Sequence, residues 1–375
     1  MHADDSRLRI AILGSRGFPS TYGGYETLVR HLARSWVADG HHVTVYCRTR
    51  EDARRTWMID GVRCRWTPGI DSTSLSTLTF GATAHLDAAL CGYDVALVLN
   101  VANGFFLPLL RARGIPSVVN TDGMEWERGK WGTLARRVFL VGAQLSARYA
   151  DILVADSKAI GNIWREKFSV DSRFIPYGGV VVQDQSDEQI AALGLEAERY
   201  ILAVARLIPE NNVELLLDAV ELGKIDDPLV IVGSATRSDS SIEKRLRDLS
   251  REGKLRWMGH VSDQELLTAL WGRCGVYIHG HSVGGTNPSL LQALGAGAPT
   301  LALDTVFNRE VIGDEEQLFA GQPAHLAEKI KGVLGSAQLR ERFRARGQGI
   351  IRDRYAWEDV VGAYLAALRS AQARY

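Results

Sequence analysis

Cysteine is scarce in this chain: four residues in 375, at positions 47, 64, 91 and 274. None form a CxxC pair, and no histidine stands at zinc-finger spacing from them. A disulfide scaffold and a structural zinc site are therefore not expected, and the four read as free thiols of a reducing compartment. Long apolar runs are also missing. The most apolar stretch, Val95 to Leu110, is interrupted by Asn100, Asn103, Gly104 and Pro108, and is too short to span a bilayer. The amino terminus, MHADDSRLRI, carries acids and no apolar core, against a signal peptide. No charge of one sign prevails: 44 Lys+Arg balance 44 Asp+Glu, so no global field draws the chain to nucleic acid. The dinucleotide fingerprint GxGxxG is absent, which leaves a nicotinamide site poorly supported. What remains is a cytoplasmic globular protein without a membrane span, of a length that suggests two domains.

What is present has a rhythm. Arg9–Leu13 reads as a buried strand, and Tyr25–Val37 as a helix with Leu28, Val29, Leu32, Ala33 and Trp36 on one face. Gly40 ends that helix and His42–Cys47 is the next strand. Val95–Leu99, Ser117–Asn120 and Ile152–Ala155 follow as strands with helices between them. Near Gly178-Gly179 the pattern pauses, and a polar stretch, Gln183–Glu188, precedes its restart. Tyr200–Ala205, Leu229–Val232, Leu255–Met258, Val276–His279 and Thr300–Leu303 form a second set of strands. Between them lie helices such as Val213–Glu221, Asp263–Trp271 and Pro288–Gly295. Strand–helix alternation of this kind predicts α/β architecture: two doubly wound parallel-sheet domains. Residues 1–180 carry 22 Lys+Arg against 17 Asp+Glu, and the rest 22 against 27. The basic bias of the first half either faces an anionic surface or is a chance imbalance.

Open parallel sheets bind ligands beyond the carboxyl ends of their strands. After the first strand comes Gly14-Ser15-Arg16-Gly17, then Tyr22-Gly23-Gly24-Tyr25-Glu26. This is either a tight turn or a loop whose backbone approaches an anion at a helix start. Arg206 directly follows a buried strand, where a cation is costly unless it is paired or faces a cleft. It either binds a phosphate or carboxylate, or pairs with Glu210. After Val276–His279 comes Gly280-His281-Ser282-Val283-Gly284-Gly285-Thr286-Asn287-Pro288-Ser289. Thr286 or Asn287 can cap a helix that starts at Pro288, and the Gly-Gly turn would leave free N–H groups for an anion. Gln292 lies one turn further, where its amide can reach sugar hydroxyls. His279 and His281 alone make a poor metal site. Asp122, Glu125, Trp126 and Trp131, after Ser117–Asn120, combine carboxylates with indoles as a sugar site does; a plain surface loop is the alternative. Trp131–Tyr149 reads either as an interfacial helix or as an ordinary amphipathic one packed on the sheet.

These residues together resemble a family. Tyr22-Gly23-Gly24-Tyr25-Glu26-Thr27, His31-Leu32-Ala33 and Gly40-His41-His42-Val43-Thr44-Val45 resemble the amino-terminal half of retaining family-4 glycosyltransferases. Asn120-Thr121-Asp122-Gly123-Met124-Glu125-Trp126-Glu127-Arg128-Gly129-Lys130-Trp131, Arg206 through Asn212, and Gly280 through Leu291 are similar to its bacterial rhamnosyltransferase-like branch, which builds surface polysaccharides. Arg354-Tyr355-Ala356-Trp357-Glu358 resembles the start of the family's last helix. The resemblance implies a GT-B fold: two Rossmann-like domains facing across a cleft. It implies an acceptor-binding domain over 1–180, with helix 356–375 packing back on it, and a nucleotide-sugar domain over 181–355. The implied donor contacts are Gly14, Arg16, Gly17, Gly23 and Gly24 in the first domain. In the second they are Arg206, Asn211, Gly285, Thr286, Asn287, Ser289, Gln292 and Glu310. Tyr22, Glu26, Asp122 and Trp126 would meet the acceptor, with Arg206, Asp122 and Glu125 in the catalytic roles. No metal and no NAD are implied. The implied partners are a nucleotide diphosphate sugar, dTDP-rhamnose by the branch, and a glycan acceptor linked to undecaprenyl diphosphate. Contact with the inner membrane leaflet would be peripheral, and nucleic acid is not a partner.

The sequence departs from the wider family at three positions. Asn211 stands where the family has a lysine on the donor diphosphate. Gly284 and Gln292 occupy the places of two glutamates eight positions apart. These departures motivate a second reading, a non-catalytic glycosyltransferase-like subunit. A third is a GT-B sugar-nucleotide epimerase, which would turn over donor without an acceptor.

Overall fold

The computed structural model describes residues 7–19, 23–50, 54–72, 76–121, 123–127, 132–183, 187–234 and 241–375. The chain divides into two compact units. One comprises Met1–Tyr177 with Trp357–Tyr375, and the other Gly178–Ala356.

The first unit is built on an eight-stranded sheet. Its strands are β1 (Arg9–Leu13), β2 (His42–Cys47), β3 (Thr56–Ile59), β4 (Val62–Trp66), β5 (Val95–Leu99), β6 (Ser117–Asn120), β7 (Ile152–Ala155) and β8 (Arg173–Phe174). They lie in the order β3-β4-β2-β1-β5-β6-β7-β8. β3 runs antiparallel to β4, and the other neighbours are parallel. β5, β6 and β7 are buried at every position, as strands covered on both faces must be. The covering helices are α1 (Gly24–Ala38), α2 (Ser76–Cys91), α3 (Leu107–Ala112), α4 (Thr133–Tyr149) and α5 (Lys158–Phe168). α1 buries the expected face, Leu28, Val29, Leu32, Ala33 and Trp36. α2 is pinned to β2 and β4 by Asp87, which accepts from Tyr46 Oη at 2.9 Å and pairs with Arg65.

Strands β3 and β4 go beyond the expected set. Asp60-Gly61 joins them with φ of 49° and 76°, the paired positive values of a tight hairpin turn. β3 alternates between exposed and half-buried, so it lacks the apolar density that marks the central strands.

The second unit holds a six-stranded parallel sheet: β9 (Ile201–Val204), β10 (Leu229–Val232), β11 (Leu255–Gly259), β12 (Val276–His279), β13 (Thr300–Leu303) and β14 (Leu318–Phe319). The order β11-β10-β9-β12-β13-β14 reverses direction between β9 and β12. Alternate residues feed opposite layers. Ile201, Leu229, Ile231, Val276 and Ile278 join one core cluster, while Tyr200, Leu202, Val230, Val232 and Tyr277 join the other. Helices α6 (Asp187–Ala192), α7 (Val213–Gly223), α8 (Ser241–Arg251), α9 (Gln264–Arg273), α10 (Pro288–Gly295), α11 (Val306–Ile312), α12 (Pro323–Leu334) and α13 (Ala337–Arg354) connect or cover the strands.

Helix α14 (Trp357–Gln372) returns to the first unit. Trp357 stacks on His31 with ring centroids 3.9 Å apart. Trp36 Nε1 donates to the Val361 carbonyl at 3.5 Å, and Asn120 Nδ2 donates to Tyr364 Oη at 2.6 Å. Among the described residues no helix is long and apolar enough to cross a membrane.

Candidate functional site

In the second unit the order reverses between β9 and β12, and ligands of doubly wound sheets bind at such a switch point. The loops that leave these two strands carry Arg206 and the segment Gly280–Asn287. Arg206 is exposed, and among the described residues it forms no ion pair; the alternative pairing with Glu210 is not made. Its loop is braced from below. Asn211 is buried, and its amide donates to the Arg206 carbonyl at 2.8 Å. Asn212 donates to the Gly280 carbonyl at 2.8 Å. The backbone N–H and hydroxyl of Ser282 both reach the Glu210 carbonyl at 2.9 Å. Gly280 permits this seam, since a Cβ there would lie 2.6 Å from the Asn211 carbonyl oxygen.

The two histidines stack in parallel at the end of β12, with centroids 4.3 Å apart. His279 is fully buried; its Nδ1 meets Tyr277 Oη at 3.1 Å, and its Nε2 has no partner among the described residues. Burial and the charge of Arg206 bring His281 down to about 3, so that its ring is neutral beside the guanidinium. The site therefore presents one cation backed by neutral donors and acceptors. Among the described residues no three His, Cys, Asp or Glu side chains gather as metal ligands would.

Helix α10 opens at this loop. Pro288 is its first residue, and Asn287 Oδ1 accepts from the Ser289 N–H at 3.0 Å and from Ser289 Oγ at 2.8 Å. Asn287, not Thr286, is thus the cap, and Thr286 is buried. Gly284 has φ of +124°, a backbone setting that side chains other than glycine rarely take. Gly285 and Gln292 are partly exposed. Glu310 lies half-buried on α11, and its carbonyl accepts from Arg354 Nη2 at 2.8 Å. Asn308, two residues earlier in α11, donates to the His281 and Leu303 carbonyls at 2.9 Å each and ties that helix to the loop.

In the first unit the reversal falls between β1 and β5. Gly14 leaves β1 with φ of +92°, and a Cβ there would lie 2.1 Å from the Leu99 carbonyl oxygen. Arg16 is exposed, and its backbone N–H donates to Glu26 Oε1 at 3.3 Å. Glu26 is buried in the first turn of α1 and faces back into the Gly14–Gly17 loop, bracing it. Gly17 packs on Cys47, and Gly23 and Gly24 start α1. Tyr22, Asp122 and Trp131 lie outside the described residues.

Two placements differ from expectation in a physical sense. Glu125 is buried within a short 3-10 turn. Trp126 is buried as well, packed edge-on against Trp164 at 6.0 Å and Phe168 at 5.7 Å, with Lys167 over its ring. Its indole is a packing element of the first unit rather than an open platform for a sugar. The histidine stack and Arg48 were not among the expected site residues. Arg48 carries the same signal as Arg206, a cation just past a buried strand.

The description "Glycosyl transferase 4-like domain" matches residues 23–178, and "Glycosyl transferases group 1" matches residues 185–349. A phosphatidyl-myo-inositol mannosyltransferase of Mycobacterium leprae is 34% identical over 165 residues, 40% of this chain and 41% of the relative's own length. The chain thus aligns with less than half of that relative. Among solved structures, sucrose-phosphate synthase of Thermosynechococcus elongatus superposes with a TM-score of 0.84 at 19% identity, over 98% of this chain and 100% of the other. HepE of Anabaena in complex with UDP-glucose gives 0.75 at 16% identity, over 97% and 100%. Both halves of the chain carry a glycosyltransferase domain on two Rossmann-like sheets, and the chain belongs to the family-4 glycosyltransferases of GT-B fold.

Proposed function

We propose that this glycosyltransferase moves a hexose or deoxyhexose, rhamnose in the first instance, from a nucleotide diphosphate sugar to a lipid-linked glycan, with retention. The observation that carries the donor reading is Arg206: an exposed guanidinium without an ion pair among the described residues, at the switch point of the second unit and beside the loop into α10. HepE, solved with UDP-glucose, supports a nucleotide sugar as the donor class. In the reaction the bond from the anomeric carbon to the diphosphate oxygen breaks and a bond to the acceptor hydroxyl forms. The acceptor proton leaves on the departing phosphate, so no separate base is needed. Charge builds on the leaving diphosphate, and fixed donors aimed at it lower the barrier. Arg206 would take that charge in a bidentate manner, helped by the backbone N–H groups of Gly285, Thr286 and Asn287. Gln292 would hold the ribose, and Glu310 the sugar. Gly14, Arg16, Gly17, Gly23 and Gly24 would approach the phosphates through their backbone. Tyr22, Asp122, Glu125 and Glu26 would shape the acceptor side.

The first half of α4 bears exposed Leu134, at 77%, and half-buried Val138 next to Arg136 and Arg137. This pattern suits peripheral contact with an anionic inner leaflet, where a lipid-linked acceptor would be met.

The test is thermal unfolding of the chain against dTDP-rhamnose, UDP-glucose, UDP-N-acetylglucosamine, GDP-mannose and NAD. A ligand at about 100 times its Kd adds roughly 2.7 kcal/mol. In a unit of this size that raises the midpoint by about 5–10 °C. A selective rise with one sugar nucleotide is expected; a rise with NAD alone, or none at all, overturns the reading. One observation favours a second reading, a binding subunit without transfer: Asn211, at the family's lysine position, spends its amide on the Arg206 carbonyl. That reading predicts a donor-induced rise with no product from any acceptor extract.

A further inference from the structure

The neutral histidine beside Arg206 is not among the donor contacts given above. Tyr277, His279 and His281 stand at every second position of β12 and its continuation, so their rings fall on one side of the chain's path. Tyr277 Oη meets His279 Nδ1 at 3.1 Å. The His279 ring in turn lies nearly parallel to that of His281, at 12° and with centroids 4.3 Å apart. A column of three rings thus runs from the core to the switch point: Tyr277 and His279 are fully buried, and His281 is half-buried. Its outer end is fixed. Asn308 Nδ2 holds the His281 carbonyl at 2.9 Å, and Ser282, the next residue, is bound through its N–H and hydroxyl to the Glu210 carbonyl.

The two ring nitrogens of His281 differ. Nδ1 is enclosed and has no hydrogen-bond partner, whereas Nε2 is not enclosed. A neutral imidazole carries one proton, and an enclosed N–H without an acceptor costs more than an enclosed lone pair. The proton therefore belongs on Nε2. Burial and the adjacent Arg206 guanidinium oppose a second proton, so the ring offers an N–H without a charge. Such a donor can stand next to a guanidinium without repelling it, and it needs no carboxylate to balance it. The site has use for one. Asn211, at the position of the family's lysine, gives its amide to the Arg206 carbonyl at 2.8 Å, so that position adds no second cation.

We propose that His281 is a donor-binding residue: its Nε2–H donates to a non-bridging oxygen of the diphosphate beside Arg206, and His279 is the positioning residue on which the ring rests. A hydrogen bond to a charged oxygen is stronger than one between neutral groups, and it strengthens further as charge builds on the leaving diphosphate. The proposal rests on the donor reading of the second unit.

The test is isothermal titration of the full chain with UDP, dTDP and GDP, and with the nucleoside of whichever diphosphate binds. His281→Phe keeps an aromatic ring on His279 but has no N–H. It should weaken the diphosphate roughly 10- to 100-fold, the usual loss for a hydrogen bond to a charged group, and leave nucleoside affinity unchanged. His281→Gln carries an amide nitrogen near the place of Nε2 and should bring diphosphate binding back to within several-fold of the parent. His281→Asn, whose amide lies near the place of Nδ1, should not. Diphosphate binding in the Phe variant equal to that of the parent overturns the proposal. So does an equal loss of diphosphate and nucleoside, which marks a disturbed loop, and so does rescue by Asn but not by Gln. Arg206→Ala, titrated alongside, separates the two failures. If it weakens the diphosphate and His281→Phe does not, the donor reading stands and the role of His281 falls; a parent chain that binds none of the three diphosphates overturns both.

Discussion

Two cations in this chain, Arg48 and Arg206, sit just past buried parallel strands. Arg206 has no ion pair among the described residues, and burial together with its charge keeps His281 neutral at its side, so it is the cation of the second unit that a diphosphate would find. Arg206→Ala should therefore reduce turnover by about 10²–10³ while leaving the fold intact. A steady-state assay with the donor selected by thermal unfolding checks this, and transfer at the parent rate would remove Arg206 from the site. At this scale the sequence is legible where chemistry forces the hand: a guanidinium cannot follow a buried strand without a reason. It is illegible where packing is the deciding term. Nothing in Glu125-Trp126-Glu127 says that the indole turns inward onto Trp164 and Phe168, because its partners lie far along the chain in α5. Asn211 is a similar case. An amide at a phosphate-binding position looks like a ligand until its neighbour's carbonyl is seen to accept from it.

The central strands could be read almost residue by residue, since both-face burial imposes continuous apolar runs: β1, β2, β5, β6, β7, β10, β12 and β13 fall where those runs do. The β3–β4 hairpin escaped because its outer strand is half wet, although Asp60-Gly61 is a strong turn signal. The start of α10 was open between two caps, and geometry selects Asn287. Its loss in Asn287→Ala should cost about 1 kcal/mol. That corresponds to a fall of roughly 2–4 °C in the melting of the second unit. Asn287→Asp retains the acceptor oxygen and should keep that stability. It also places a carboxylate where the diphosphate is proposed to lie, so donor affinity should drop. If the Asp variant binds donor as the parent does, the phosphate does not sit at this helix start.

Across the whole molecule, buried histidines set the response to acid. His85 in the first unit is brought down to about 4 by burial, His281 in the second to about 3, and His279 well below its ordinary value. The folded chain holds these rings neutral, whereas the unfolded chain protonates them below about pH 6.5. Between about pH 6.5 and 4 the unfolded state therefore binds more protons, and stability falls as pH is lowered. Each such ring contributes a slope of up to about 1.4 kcal/mol per pH unit. Asp87 and Glu198, held below their ordinary range despite burial by hydrogen bonds to arginine, add to the loss only at lower pH. Melting midpoints measured from pH 7.5 to 5 should decline steadily, and a flat profile would contradict the neutral state of these rings.

The first unit is assembled from two stretches separated by the entire second unit. During synthesis, Trp36 and Asn120 must wait for α14 before their polar groups find Val361 and Tyr364. The second unit, being continuous, meets no such delay. A ribosome making this chain thus releases a finished carboxy-terminal sheet before the amino-terminal one has been closed, the reverse of the order in which they were translated.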